Sequence, residues 1–430
     1  MRKFRFVWLA IAVAGLALGL AACGGDDDGG GPGETTLDLT IGDSVPLSGG
    51  LAPFGPAGEK AATIAGDEIN SAIKEAGVDH TVSVVHENNE TTPQAAVQVA
   101  RKMVDADDAS CIAGAWASAD TIPTFESVSS REGVLQISPA STSDEITEID
   151  DPDGLLNRTP PPDALQGPTL ANYVEEVLNG AEGVTVNLGA RNDAYGTGLA
   201  ETFTAAWEEK GGTIGEEVIY DPEQPSYDSE AEQLTSGNFD GLVIVDFPEP
   251  FDKVGPALVR TGNYDPTKTI STDGLAFGAE IAGNEAVEGL TGTVPGVPDD
   301  DEAANSFDKV FADSQPTRVE RAAFDAHNFD AVMLCYLAAV AAGSTDGIDM
   351  AAEVRDVSGP PGDKYSWQQL PDAIQALQDG DDIDYSGASG DINLDEAGDA
   401  TEDVYDIWQY KDGVADYQYD EIAVAEPTEE

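Results

Sequence analysis

The sequence is short of several residue types. Only 3 His, 3 Cys and 4 Met occur in 430 residues, and 20 basic residues face 82 acidic ones, a formal net charge of −62. So few His and Cys leave little material for a zinc site or a disulfide framework. The shortage of Lys and Arg excludes a nucleic-acid binder that works by neutralising phosphates, because such proteins need a basic face. It also argues against a surface drawn to anionic lipid by charge. Apolar residues are not scarce: 41% of the chain is hydrophobic, so it is not a disordered acidic tail. The length allows two to three domains of about 150 residues, each with a sizeable core.

Arg2, Lys3 and Arg5 form a short basic start, and Phe6 to Ala22 carries no charge. A positive start before a short apolar run reads as a signal peptide over residues 1–22; the run is also near the lower limit for a membrane span. Leu20-Ala21-Ala22-Cys23, placed directly after that run, resembles the bacterial lipobox. The resemblance implies cleavage before Cys23, a diacylglycerol on its thiol, and an extracytoplasmic protein anchored to the cell membrane. Gly24 to Thr36 has nothing to bury and, within 23–37, reads as a flexible tether. Cys111 and Cys335 both sit in apolar stretches and read as two buried, unpaired thiols rather than a bridge. The acidity has two explanations, adaptation to high salt or a moderately acidic exported protein. The first is favoured, because at about 1 M salt the Debye length is only about 3 Å and a dense carboxylate surface stops repelling itself.

After the tether, strand-like and helix-like segments alternate. Leu37 to Val45 reads as a strand, and Glu59 to Ala76 as a helix with Ala61, Ala62, Ala65, Ile69 and Ile73 on one face and Gly77 as its stop. Thr92-Pro93 carries the chemistry of an N-cap followed by the first helical residue. The rhythm continues through Thr269 to Ser271, and the clearest long helix is expected over Val319 to Ala342. Strict β–α alternation implies parallel sheets covered by helices on both faces. The chain is too long for one such sheet. Asn157 to Pro162, Thr293 to Pro298 and Ile383 to Asp391 fit three crossings between two lobes. The expected division is 38–162 plus 296–389 for one lobe and 163–295 plus 390–424 for the other.

In open parallel sheets, ligands bind beyond the carboxyl ends of the strands. That rule selects the loops Ser48 to Gly55, Trp116 to Ser118, Pro139 to Ser143, Asn192 to Tyr195, Phe247 to Pro250, and Asp273-Gly274. They hold aromatic groups, small hydroxyls and one acid, an apolar pocket with a few orienting polar groups rather than a set of paired titratable residues.

Pro46-Leu47-Ser48-Gly49, Ile137-Ser138-Pro139-Ala140-Ser141-Thr142-Ser143, Asn192-Asp193-Ala194-Tyr195-Gly196, Thr272-Asp273-Gly274 and Tyr385-Ser386-Gly387-Ala388-Ser389-Gly390 together resemble the branched-chain amino acid binding proteins of ABC importers. The likeness runs from about Leu39 to about Tyr410, with the motifs in the same order. It implies an α/β fold of two Rossmann-like lobes with parallel sheets joined by three crossover segments, the type I periplasmic binding protein, closing on an amino acid. It implies that Thr142, with the backbone near Ala140 and Ala117, holds the ligand α-carboxylate, and that Asp273 holds the α-ammonium. Tyr195 and Phe247 close over the ligand, and Phe54 and Trp116 line its apolar part. Two positions depart from the pattern. Ala117 stands where a serine often contacts the carboxylate, although Ser118 is adjacent, and Phe247 stands where a tyrosine is expected. Both remove a polar contact, which opens the reading to a less polar amino acid or an amide.

Three other motifs carry less. Gly42-Asp43-Ser44 is similar to the nucleophile segment of GDS-type serine hydrolases, but no His follows His327 to take the serine proton. His80 and His86 lie near Glu87 and Glu90 without a third ligand at metal spacing. Asp391 to Glu396 has Glu396 where a calcium loop needs glycine. The expected function is therefore a receptor, not an enzyme: a monomer that needs no cofactor, captures an amino acid or amide and delivers it to an ABC permease. The alternatives are a ligand-sensing lipoprotein of the same fold, or a serine hydrolase.

Overall fold

Leu37–Val45 forms strand β1, buried along most of its length, and the rest of the first sheet is laid down around it. The computed structural model describes residues 36–276, 285–297, 301–401, 404–411 and 414–418. The expected signal peptide, the lipidation site Cys23 and the tether up to residue 35 lie outside the described residues. β2 (His80–Asn88), β3 (Cys111–Ala113), β4 (Leu135–Ser138) and β5 (Leu156–Arg158) complete a five-stranded sheet of order β2-β1-β3-β4-β5. All of its pairings are parallel.

The second sheet is built from β6 (Thr185–Arg191), β7 (Thr213–Tyr220), β8 (Gly241–Val245), β9 (Thr269–Ser271) and β10 (Thr291–Pro295). A small parallel pair, β11 (Asp363–Ser366) and β12 (Ile383–Ser386), stands apart. β13 (Tyr405–Lys411) and β14 (Val414–Gln418) then extend the second sheet to the order β14-β13-β10-β9-β8-β6-β7. β13 runs antiparallel to both β10 and β14, so this sheet is mixed where strict alternation implies a parallel one. β13 enters without a preceding crossover helix, and only such a helix would have returned the chain in the parallel sense. The chain passes from the first sheet to the second after β5, returns after β10 as helices that pack on the first sheet, and joins the second sheet again after β12. The expected crossings thus begin later than anticipated, since Asn157 and Arg158 belong to β5 and Thr293 to Pro295 to β10.

Local chemistry accounts for most helix boundaries. Helix Gly55–Ala76 has a proline in its first turn and ends at Gly77, whose φ of 74° is left-handed. Helix Pro93–Asp107 starts where Thr92 accepts the Ala95 N–H at 3.4 Å. The long apolar helix begins at Asp325 rather than Val319 and runs to Ala342. The Asp325 carboxylate explains the start: it accepts the Ala322 N–H at 3.0 Å and pairs with Arg321, which fixes a turn before the first helical residue. This helix is buried from Asp325 to Val340 and packs on β1, β3 and β4, the centre of the first core. Each Leu, Val or Phe side chain so buried contributes about 1.5–3 kcal/mol.

Cys111 on β3 and Cys335 on this helix form a disulfide, with Cα atoms 6.0 Å apart. This corrects the expectation of two unpaired thiols. Apolar surroundings suit either state, and only the packing of the helix across β3 brings the two sulfurs together.

Two polar clamps secure the crossings. Arg158, fully buried, donates from Nε to Asp399 at 2.6 Å and from Nη1 to the Ser143 carbonyl at 2.9 Å. It thereby ties the end of β5 to the loop after β4 and to the segment before β13. Asp330 accepts from the Tyr385 hydroxyl at 2.7 Å, the Ala388 N–H at 2.9 Å and the Ser389 N–H at 2.7 Å. The Tyr385 to Gly390 motif is thus gripped from the central helix.

Candidate functional site

Strand tips from both sheets meet around one narrow cavity. From the first sheet come Leu51 and Phe54 after β1, Trp116 to Ser118 after β3, and Ala140 after β4; from the second come Tyr195 after β6, Phe247 after β8, and Asp273-Gly274 after β9. Phe324 completes the wall. All of these except Phe324 follow parallel strands at their carboxyl ends, where the rule for open α/β sheets places ligands. The cavity volume is about 20 Å³, so the walls stand close together.

Two glycines make the close approach possible. A Cβ on Gly58 would lie 2.3 Å from the Trp116 ring, and one on Gly274 would lie 2.4 Å from the Asp246 carbonyl oxygen and 3.0 Å from the Tyr195 hydroxyl. Any side chain at either position would displace a wall residue.

The polar end of the cavity centres on Asp273, which is 3% exposed. Its Oδ1 accepts from Gln166 Nε2 at 2.6 Å and from the Tyr195 hydroxyl at 3.1 Å. The Tyr195 oxygen also lies 2.7 Å from Thr272 Oγ1 and accepts the Gly274 N–H at 3.2 Å. Burial pushes the Asp273 carboxyl up to about 6, against the opposing hydrogen bonds from Gln166 and Tyr195. A carboxylate so placed is an acceptor for a cationic group, with charge-assisted hydrogen bonds strengthened by exclusion of water.

The aromatic side of the second sheet is rigidly stacked. The Tyr195 and Phe247 rings lie 5.2 Å apart at 19°, and the Arg191 guanidinium sits 3.5 Å from the centre of the Phe247 ring. Arg191 donates to Asp193 at 2.6 Å and faces Asp246 at 3.8 Å. Asp193 in turn caps the helix Ala194–Glu209 through the Gly196 N–H, which fixes Tyr195 in its first turn.

The cavity gathers Phe54, Trp116, Ala117, Ser118, Ala140, Tyr195, Phe247 and Asp273, every expected site residue but one. Thr142 is fully buried and is not among the lining residues; its neighbour Ser143, not Thr142, caps the short helix that follows. Ser118 Oγ accepts the Ser143 N–H at 3.3 Å, which leaves its own hydroxyl hydrogen to donate. Leu51 sits in the selected Ser48 to Gly55 loop without being among the expected site residues, whereas Gln166, Arg191 and Phe324 lie outside every selected loop. Gln166 and Arg191 act through Asp273 and Phe247 from elements outside the selected loops, and nothing in their local sequence marks them. Ser44 is buried and receives Asn89 Nδ2 at 3.4 Å, while His86 Nδ1 lies 2.7 Å from Asp43, so the Gly42-Asp43-Ser44 motif is absorbed into packing. Among the described residues no cluster of three or more His, Cys, Asp or Glu could hold a metal ion.

Several buried carboxyls share the upward displacement. Burial raises Asp120 to about 8, opposed by Arg191, and raises Asp246 to about 7, again opposed by Arg191. Burial raises Asp330 to about 6, opposed by the Ser389 and Ala388 hydrogen bonds. For an acid whose folded pKa is raised, the native state holds more protons than the unfolded state between the two values. Stability therefore falls as pH rises through that window. The expected result is a melting temperature that is higher at pH 5 than at pH 8. A scan that rises with pH over this range would contradict the displacements.

Residues 38–373 match the family model described as periplasmic binding protein. The Leu/Ile/Val-binding protein homolog 1 of Brucella abortus is 26% identical over 396 residues, covering 91% of this chain and 95% of that protein. An amino acid binding protein of Pseudomonas aeruginosa is 29% identical over 263 residues, 59% of this chain and 66% of that protein. Among solved structures, a leucine binding protein LivK of Thermotoga maritima superposes with a TM-score of 0.71 at 24% identity, over 90% of this chain and 99% of that one. The branched-chain amino acid transporter substrate binding protein LivJ of Streptococcus pneumoniae, in complex with isoleucine, gives 0.70 at 20% identity, over 90% and 99%. Two α/β sheets crossed three times by the chain, a cavity at their strand tips, and a family match over most of the sequence lead to one conclusion: this chain belongs to the periplasmic binding protein family of solute-binding receptors.

Proposed function

We propose that this protein is the extracytoplasmic receptor of an ABC importer and that it captures a branched-chain or related amino acid, or an amide, and releases it unchanged. The observation that carries this reading is Asp273, a buried carboxylate at an aromatic-walled cavity shared by both sheets. Asp273 takes the α-ammonium. Ser118 and the backbone of Ala117 and Ala140 take the α-carboxylate, with Thr142 supporting that loop from within. Phe54 and Trp116 pack on the side chain, and Tyr195 and Phe247 close from the other lobe. The curated relatives named for Leu/Ile/Val binding and the isoleucine-bound LivJ support the ligand class. The two lobes are 38–162 plus 296–389 and 163–295 plus 390–424, and Cys23 carries the lipid that holds a monomer at the membrane.

Because the ligand touches both lobes, it favours the closed form, by no more than its preference for that form. The test is a thermal-shift panel of amino acids, amides and urea. Ligand at 100 times Kd stabilises by about 2.7 kcal/mol, so a clear rise with leucine-type amino acids is expected, and a flat response to every α-amino acid would overturn the reading. The acid excess adds a separate expectation for a high-salt habitat. Melting temperature should climb from low to molar NaCl as carboxylate repulsion is screened, and a flat or falling curve would remove the halophilic reading.

A further inference from the structure

Beside the ligand cavity lies a second and far larger one, of about 570 Å³ against about 20 Å³. Its walls come from the exit of β10, from helix Glu302–Asp313, from the segment leading into the central helix, and from the third crossing at Ala388-Ser389. Among the described residues, Phe324 is the one that lines both cavities.

Phe324 is held there firmly. It is 7% exposed, and its ring lies 5.5 Å from that of His327. Its φ of 65° is left-handed, a conformation uncommon for a bulky residue and maintained only where the surroundings over-determine it. The bond from the Ala322 N–H to Asp325, and the pairing of Arg321 with Asp325, fix the chain on both sides of it. The ring therefore stands as a wall, not as a surface side chain free to swing.

The second chamber has its own chemical character. Its lining is mostly small and apolar, and its carboxylates Asp308, Asp325 and Asp406 outnumber the single guanidinium of Arg321, which is already paired with the first two. Buried His327 is held neutral, and its Nδ1 has no hydrogen-bond partner among the described residues. Such a space suits a large neutral side chain and rejects an anionic one.

We propose that Phe324 is a specificity-determining partition, which shuts the ligand cavity off from this chamber and restricts the receptor to amino acids with short side chains. Its removal joins the two spaces and admits large aromatic side chains. The proposal rests on the amino acid reading of the cavity.

Calorimetry on the mature chain with leucine, phenylalanine, tryptophan and glutamate tests it. Phe324→Gly is the variant of choice, because glycine adopts the left-handed backbone without penalty. Affinity for phenylalanine and tryptophan relative to leucine should rise at least roughly tenfold, about 1.4 kcal/mol, with no rise for glutamate. Adding Ala304→Phe, which refills the second chamber from the half-buried Ala304, should reverse the gain. An unchanged ratio, or a gain that survives Ala304→Phe, overturns the partition. If Phe324→Gly fails to fold, Phe324→Leu must shift the ratio in the same direction or the proposal falls. A wild type that binds leucine with an unmoved ratio in the variants sinks the partition alone. A wild type that binds none of the α-amino acids sinks the amino acid reading and the partition with it.

Discussion

Replacing Asp273 with alanine is expected to weaken binding of an α-amino acid by about 2–5 kcal/mol, at least roughly thirtyfold in Kd. The size follows from position. Asp273 is 3% exposed and shares its cavity with Trp116, Tyr195 and Phe247, so an ammonium group brought there loses water on every side. Among the described residues that line the cavity, no other acid supplies a countercharge. Asp273→Asn separates charge from shape, because an amide keeps an oxygen for the Gln166 and Tyr195 donors that now meet Oδ1. Its binding loss should approach that of alanine while its melting temperature stays nearer the wild type. The wild-type pH profile checks the same group independently. With the carboxyl near 6 in the free protein, affinity should fall by up to tenfold per unit as pH drops below that value. Calorimetry across pH 5 to 8 reads both effects, and an affinity untouched by either substitution would remove Asp273 from the site.

The double substitution Cys111→Ala with Cys335→Ala should be the most destabilising change of those considered. The bridge closes a loop of 224 residues, and the chain-entropy relation assigns a loop of that size about 5 kcal/mol. Measured losses for native disulfides more often span about 2–5 kcal/mol, because the unfolded reference keeps some structure. Both cysteines are fully buried, so trimming each to alanine adds a small cavity penalty on top. Denaturant unfolding should show a lower midpoint for the variant, and a matching fall for the wild type under reducing conditions. Peptide mass mapping that found both thiols free, with no change of midpoint on reduction, would refute the bridge. A disulfide between the central helix and β3 accords with a protein that functions outside the cytoplasm.

The legibility of this sequence was uneven for physical reasons. Helix Pro93–Asp107 could be read from Thr92-Pro93 because an N-cap hydroxyl and a fixed proline φ act within a few residues. The start of the central helix could not. Val319, Ala322, Ala323 and Ala326 keep a helix-compatible apolar spacing across its true start, and the break is imposed by Asp325 pairing with Arg321 and by the left-handed Phe324. The short strand β5 was hidden inside a proline-rich crossing, since three residues are too few to show a period. The antiparallel entry of β13 depends on a return path that no local pattern encodes.

The sequence by itself determined the alternation of strands and helices, the class of fold, and the loops whose residues face a common cavity. Those follow from periodicity and from where strands end, both properties of neighbours along the chain. Tertiary structure alone decided that Cys111 meets Cys335, that Gln166 and Arg191 brace the cavity from outside its loops, and that Phe324 divides two spaces. Each of these joins groups far apart in the chain, and such contacts exist only once the core has packed and fixed their separation.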